Sequence, residues 1–162
     1  MHNVSVAGKL WLGGQPSTAD LELAKRRGIE TVIDLCTGDS TQRDPLAEKC
    51  RELDMQLLKV PLSGNDQIAE GTVDVVLDTL RDANEHSTLM FCDTGGNSAM
   101  FFAIHRVLEQ NVDVEEALLE ARRAGMKPGE PEEFVLRQIE RLTGWELVEG
   151  DDIAEAPSDS GS

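Results

Sequence analysis

Positive charge is what this chain is short of. Its 162 residues carry 15 Lys and Arg against 31 Asp and Glu, a formal net charge of −16. Nucleic acid and anionic membrane surfaces both reward basic patches, so this balance argues against either as a partner. It also opposes long-range attraction of phosphorylated ligands, although salt screens that effect. Solubility, or a salty milieu, is the simplest account of so acidic a composition. Cysteine is scarce too. Cys36, Cys50 and Cys92 are odd in number, widely spaced and free of any CxxC pair, which fits a reducing, cytoplasmic setting better than a disulfide framework. No His or Cys spacing suggests a metal site, and no cofactor motif is present. Long apolar runs are missing as well: nothing approaches the ~20 residues of a membrane span, and no apolar segment follows a basic N-terminal flank.

What is there is an alternation of strand and helix signals, within a length and a hydrophobic content of 40% that suit one core. Val4-Ser5-Val6 and Leu10-Trp11-Leu12 flank a Gly-containing turn and predict a hairpin. Ser17 with Asp20 predicts a capped helix to about Arg27, stopped by Gly28. Residues 31–36 read as a buried strand, Asp44-Pro45 as the start of a helix to about Leu53, and 56–60 as a further strand. A helix is expected from about Thr72 to Ala83 on the spacing of Val73, Val76, Leu77 and Leu80. A strand over 88–92 comes next, then a helix from Ser98 to about Gln110 with Asn111 as its stop. Asp113 and Glu116 predict a capping box for a helix ending at Gly125, and Pro131 opens a last helix that Gly144 closes. From about Gly150 onward, acidic and small residues read as a disordered tail, so the expected organisation is a domain over 1–149 and a tail over 150–162. Strands alternating with helices imply an α/β three-layer sandwich whose mostly parallel sheet has helices on both faces. Ligands of such sheets bind outside the carboxyl ends of the strands. Cys36, the loop after Pro61 and Cys92 should therefore share one rim.

The stretch that carries chemistry is Phe91-Cys92-Asp93-Thr94-Gly95-Gly96-Asn97-Ser98. An apolar strand, a glycine turn and a helix start in that order make an anion cradle. Loop amides converge there, and the helix terminus adds about half a positive charge. Cys92 is thereby a candidate nucleophile, with Asp93, Thr94, Gly95, Gly96, Asn97 and Ser98 as candidate anion-binding positions. Asp66, on the loop after the Pro61 strand, is the candidate general acid by position, although an Asp in a Gly-Asn loop is usually a turn residue. Asn97 and Ser98 also suit a plain helix cap. Asp34 reads as structural, and His86 and His105 as surface or helix-face residues. Cys36 is a possible redox partner of Cys92, provided the two Cα atoms come within about 7 Å.

Three stretches together resemble a known family. Gly14-Gln15-Pro16-Ser17, the run from Gly28 to Leu35 and the Cys92 loop have the order and spacing of a small bacterial phosphatase-like family, the phosphatase-like domain of β-lactamase hydrolase-like proteins. It belongs to the tyrosine/dual-specificity phosphatase superfamily. The resemblance covers roughly positions 10 to 126 and extends to Ala121-Arg122-Arg123-Ala124-Gly125. It implies a cysteine phosphatase: a strand ending in His-Cys, and an Arg five or six positions after the Cys. The thiolate would attack phosphorus, the Arg and loop amides would hold the oxygens, and an Asp would protonate the leaving group. Cys92 matches the nucleophile, Gly95 a loop glycine, and Ser98 the small hydroxyl residue that follows the Arg in the five-position variant.

The departures are as informative as the matches. Phe91 replaces the His, Asn97 stands at the five-position Arg, Ser98 at the six-position one, and Cys36 stands where an Arg often closes the earlier strand. Phosphoryl chemistry wants a fixed guanidinium, and losing one such donor typically costs ~10²–10³ in rate. The sequence therefore predicts a pseudophosphatase that binds phosphate, or a phosphorylated small molecule or protein, with little or no turnover. The alternatives are a weakly active phosphomonoester or protein-tyrosine phosphatase using Cys92, and a rhodanese-like sulfur carrier.

Overall fold

The computed structural model describes residues 5–7, 10–36, 44–60, 68–82, 87–93 and 95–147. In chain order its elements are β1 (Ser5–Ala7), β2 (Leu10–Gly13), α1 (Thr18–Arg26), β3 (Thr31–Asp34), α2 (Asp44–Glu52) and β4 (Gln56–Lys59). They continue with α3 (Glu70–Asp82), β5 (Thr88–Phe91), α4 (Gly96–Gln110), α5 (Val114–Arg123) and α6 (Glu130–Thr143). Asp66, Thr94, His86 and the 150–162 tail lie outside the described residues.

The five strands form one sheet in the order β1-β2-β5-β3-β4. Only the β1–β2 pair is antiparallel, and β2, β5, β3 and β4 run parallel. β5 is central because it is short, wholly buried and flanked on both edges, as a Thr-Leu-Met-Phe run without charge requires. Successive strand residues face opposite sides, and the core divides accordingly. Ile33, Leu35, Met90 and Cys92 pack with Leu12 against α3, α4, α5 and α6. Val32, Cys36, Leu89 and Phe91 pack against α1 and α2. The expected three-layer α/β sandwich is the architecture observed.

The helix ends explain themselves locally. Ser17 and Asp20 form the anticipated capping box, with reciprocal bonds of 2.8 and 3.1 Å. Gly28 leaves α1 at φ 96°, and Asn111 ends α4 at φ 56°, both left-handed conformations that these residue types tolerate. Three expectations need correction. The box at Asp113 and Glu116 does not form: Asp113 is the cap of α5 but its side chain accepts no bond there, and Glu115 and Glu116 in the first turn favour the helix through its dipole instead. α3 begins at Glu70 rather than Thr72 for the same electrostatic reason. His105 is not on the surface; it is 3% exposed within α4. Among the described residues no helix is long and apolar enough to cross a membrane.

Candidate functional site

The end of β2 anchors the site. Gly13 pairs with Phe91 across the β2–β5 ladder, and its carbonyl then accepts a bond from the Cys92 amide at 3.2 Å. Beyond Cys92 the chain turns at Gly95, whose φ of 100° is a left-handed conformation suited to glycine. That turn aims the Gly95 amide at the Cys92 Sγ, 3.0 Å away. Ser98 Oγ lies 3.8 Å from the same sulfur, within reach of a thiol donor. It is also 2.9 Å from the Gly95 carbonyl and 3.4 Å from that of Gly13. Its single proton serves one of these carbonyls at a time. Ser98 has no exposed surface, and Cys92 has 2%. The Gly95 amide thus donates to the sulfur and can stabilise negative charge on it, whereas the Ser98 hydroxyl accepts from the thiol.

Gly95 is the cap of α4 and has no side chain to bond the helix's first turn, and none is bonded there among the described residues. Its leading amides and the helix dipole are free to face an anion. This corrects the alternative reading of Asn97 and Ser98 as caps. α4 starts at Gly96, which places both inside the first turn, where Ser98 bonds back to the loop. Asn97 is half-buried, and its carboxamide has no hydrogen-bond partner among the described residues. Asp93 is exposed. Arg106, the next arginine after the loop, is turned away from it. Its guanidinium makes a bidentate pair with Glu120 on α5 at 2.9 and 2.8 Å and bonds Gln110 at 2.7 Å.

Cys36 leaves the adjacent strand on the same rim, since the Leu35 amide bonds the Phe91 carbonyl at 2.9 Å. Its side chain belongs to the opposite face of the sheet from that of Cys92. All three cysteines are free thiols. Side chains that diverge across a sheet cannot be bridged without backbone movement, so the Cys36–Cys92 pairing draws no support from this arrangement. Burial, and then the carboxylates of Asp34 and Asp93, push the Cys36 thiol far above its ordinary range. Cys50, on α2, is raised as well by burial and by Asp34. Asp34 has the structural task expected of it, accepting the Cys36 amide at 2.9 Å. Among the described residues no group of His, Cys, Asp and Glu could hold a metal ion. A surface cleft of about 560 Å³ lined by Lys25, Glu30, Asp54 and Gln56 opens at the amino ends of β3 and β4. That is the wrong end of the sheet for the Cys92 chemistry.

Comparison with known proteins decides the family. The family of DSP-PTPase phosphatases fused to NAD+ kinase matches residues 2–136. The chain belongs to this phosphatase family. Its fold is that of solved phosphatases at low sequence identity. Tk-PTP in its active form superposes with a TM-score of 0.71 at 18% identity, over 86% of this chain and 97% of that one. The core catalytic domain of the PP-IP phosphatase SIW14 of S. cerevisiae, in complex with citrate, gives 0.70 at 18% identity over 88% and 91%. TpbA of P. aeruginosa gives 0.67 at 21% identity over 86% and 84%. No match is found among curated proteins. The dual-specificity phosphatase fold expected from the resemblance is therefore the fold present.

Two features, one at the site and one further along α4, were not read from the sequence. The Gly13 carbonyl serves as a shared acceptor for the loop, for which the Gly13-Gly14 pair after a strand was the available signal. His105 is buried with its Nδ1 unpartnered. Its place among Ala103, Ile104 and Val107 in an almost wholly apolar helix could have revealed that.

Proposed function

We propose that this protein binds phosphate or a phosphorylated partner at the Cys92 loop and hydrolyses it slowly or not at all. The observation that carries the reading is the placement of Ser98. Its hydroxyl lies 3.8 Å from the sulfur, which supports reading it as the small hydroxyl residue that the resemblance puts after the arginine in the five-position loop. With Ser98 in that role, the residue before it is the arginine's counterpart, and that residue is Asn97. A neutral carboxamide replaces a bidentate cation, so the oxyanion keeps amide and dipole contacts but loses its strongest clamp. Asp93 adds a negative charge next to the nucleophile's position, which opposes a dianionic ester further. Asp66, the proposed proton donor, and Thr94, a proposed loop contact, remain assignments by position in the chain.

The test is release of the aryl alcohol from an aryl phosphate by the protein as given, beside Cys92→Ser and Asn97→Arg. Little or no turnover in the parent and a gain of about 10²-fold or more in Asn97→Arg is the expected result. Robust turnover by the parent, lost in Cys92→Ser, would overturn the pseudophosphatase reading. A second reading, a slow phosphohydrolase, is favoured by the intact amide and hydroxyl contacts at the sulfur. It requires weak parental turnover that Cys92→Ser abolishes. The sulfur-carrier alternative gains nothing from a chain that belongs to a phosphatase family.

A further inference from the structure

The Gly14-Gln15-Pro16-Ser17 turn lies beside the Cys92 loop, and its glutamine has no assigned task. The turn is held at both ends. At Gly13 one carbonyl accepts the Cys92 amide at 3.2 Å and lies 3.4 Å from the Ser98 hydroxyl. At Ser17 the reciprocal bonds with Asp20 fix the start of α1. Gln15 precedes a proline, which confines its backbone to extended conformations. It also stands two residues past Gly13, so its Cα is within about 7 Å of that anchor. Gly14 and Pro16 are buried whereas Gln15 between them is half-buried, the alternation of an extended segment with one side against the protein and the other at its lip. Gln15 has no hydrogen-bond partner among the described residues, and the same is true of Asn97 on the other flank of Cys92.

Resting on the phosphate-binding reading above, we infer that Gln15 is a ligand-contacting residue, its carboxamide acting with that of Asn97 on the outer oxygens of the bound oxyanion. Two neutral amide groups can each donate to one oxygen and accept from a protonated one. A guanidinium can only donate. Lacking a cation, this pair favours a tetrahedral oxyanion in its singly charged, partly protonated form over the dianion.

The experiment is an equilibrium titration of the full chain with inorganic phosphate at low ionic strength, comparing the parent with Gln15→Met, Gln15→Ala and Gln15→Lys. Gln15→Met keeps the length of the side chain and removes the amide. A hydrogen bond to a charged group is worth roughly tenfold or more in affinity, so Gln15→Met and Gln15→Ala should each weaken phosphate binding by about that factor. Gln15→Lys should tighten it, which a purely structural role would not produce. The parent should also bind more tightly at pH 6 than at pH 8, as the monoanion becomes the main species. Phosphate binding by the parent that Gln15→Met leaves unchanged overturns the role of Gln15 and leaves the Cys92 pocket standing. A folded parent that binds no phosphate overturns both.

Discussion

Cys92 and Cys36 end neighbouring parallel strands on the same rim, yet the two faces of the sheet treat them in opposite ways. The Cys92 sulfur receives a backbone amide at 3.0 Å and lies near a buried hydroxyl. Cys36 is hemmed by the carboxylates of Asp34 and Asp93, and burial alone already disfavours its thiolate. A glycine turn and a helix start come after the first, and they supply donors. Residue alternation sends the second to the other layer, under α1 and α2. Position at the carboxyl end of a strand is therefore not enough to make a reactive cysteine. What is brought to the sulfur decides: the amide of the turn after Cys92 on one face, the carboxylates of Asp34 and Asp93 on the other.

The largest expected effect would restore what the Cys92 face lacks. Asn97→Arg should raise aryl-phosphate turnover by about 10²-fold or more, whereas an arginine placed on the Cys36 face, at Cys36 itself, should not rescue turnover in the presence of Asn97. Steady-state assays of the two variants compare the faces directly. Next comes Ser98→Ala, which removes a fully buried hydroxyl bonded at 2.9 Å to the Gly95 carbonyl. It should cost about 1–3 kcal/mol, read as a shift in the urea unfolding midpoint. The loss should be accompanied by weaker phosphate binding.

A smaller effect concerns pH and again belongs to the Cys92 face. Burial lowers the pKa of His105 below its ordinary value, and Arg106 lowers it further while Glu109 partly opposes the shift. The folded chain then binds a proton less readily than the unfolded chain. Stability contributed by neutral His105 is present above about pH 6.5, the unfolded value, and falls as pH drops below it, by up to ~1.4 kcal/mol for each unit of separation between the two values. Denaturant titrations at pH 7.5 and 5.5 should show this loss, and His105→Phe should reduce it. Near the Cys36 face, Asp93→Asn removes a carboxylate that faces Cys36 and a negative charge from the Cys92 loop at once. Phosphate affinity and the alkylation rate of Cys36 should both rise a few-fold. A gain in one without the other would show that the faces are electrically separate.

Most of this architecture is legible in the amino-acid order alone. Ser17, Gly28, Asn111, Gly125 and Gly144 act at the helix ends where their residue types suggest, because capping and left-handed turns are local chemistry. The alternation of elements implies a parallel sheet, and the Cys92 loop stands out by its strand-turn-helix pattern. The features that stay hidden depend on distant contacts. The first turn of α4 begins two residues early because Gly95 supplies the turn through its backbone. The Ser98 hydroxyl finds the carbonyl of Gly13, 85 residues away in sequence. The burial of His105 follows from α4 lying in the middle of its layer, packed on α3, α5 and α6, and only its apolar neighbours in the helix hint at that.

The Gly13 carbonyl has one more consequence. A single oxygen at the end of β2 takes the amide of the sulfur-bearing residue and stands within reach of the hydroxyl beside it. The Cys92 corner is thus moored to the beginning of the chain as well as to its middle. Clipping or prying loose the first two strands would slacken the sulfur's surroundings without touching a single group that meets the ligand.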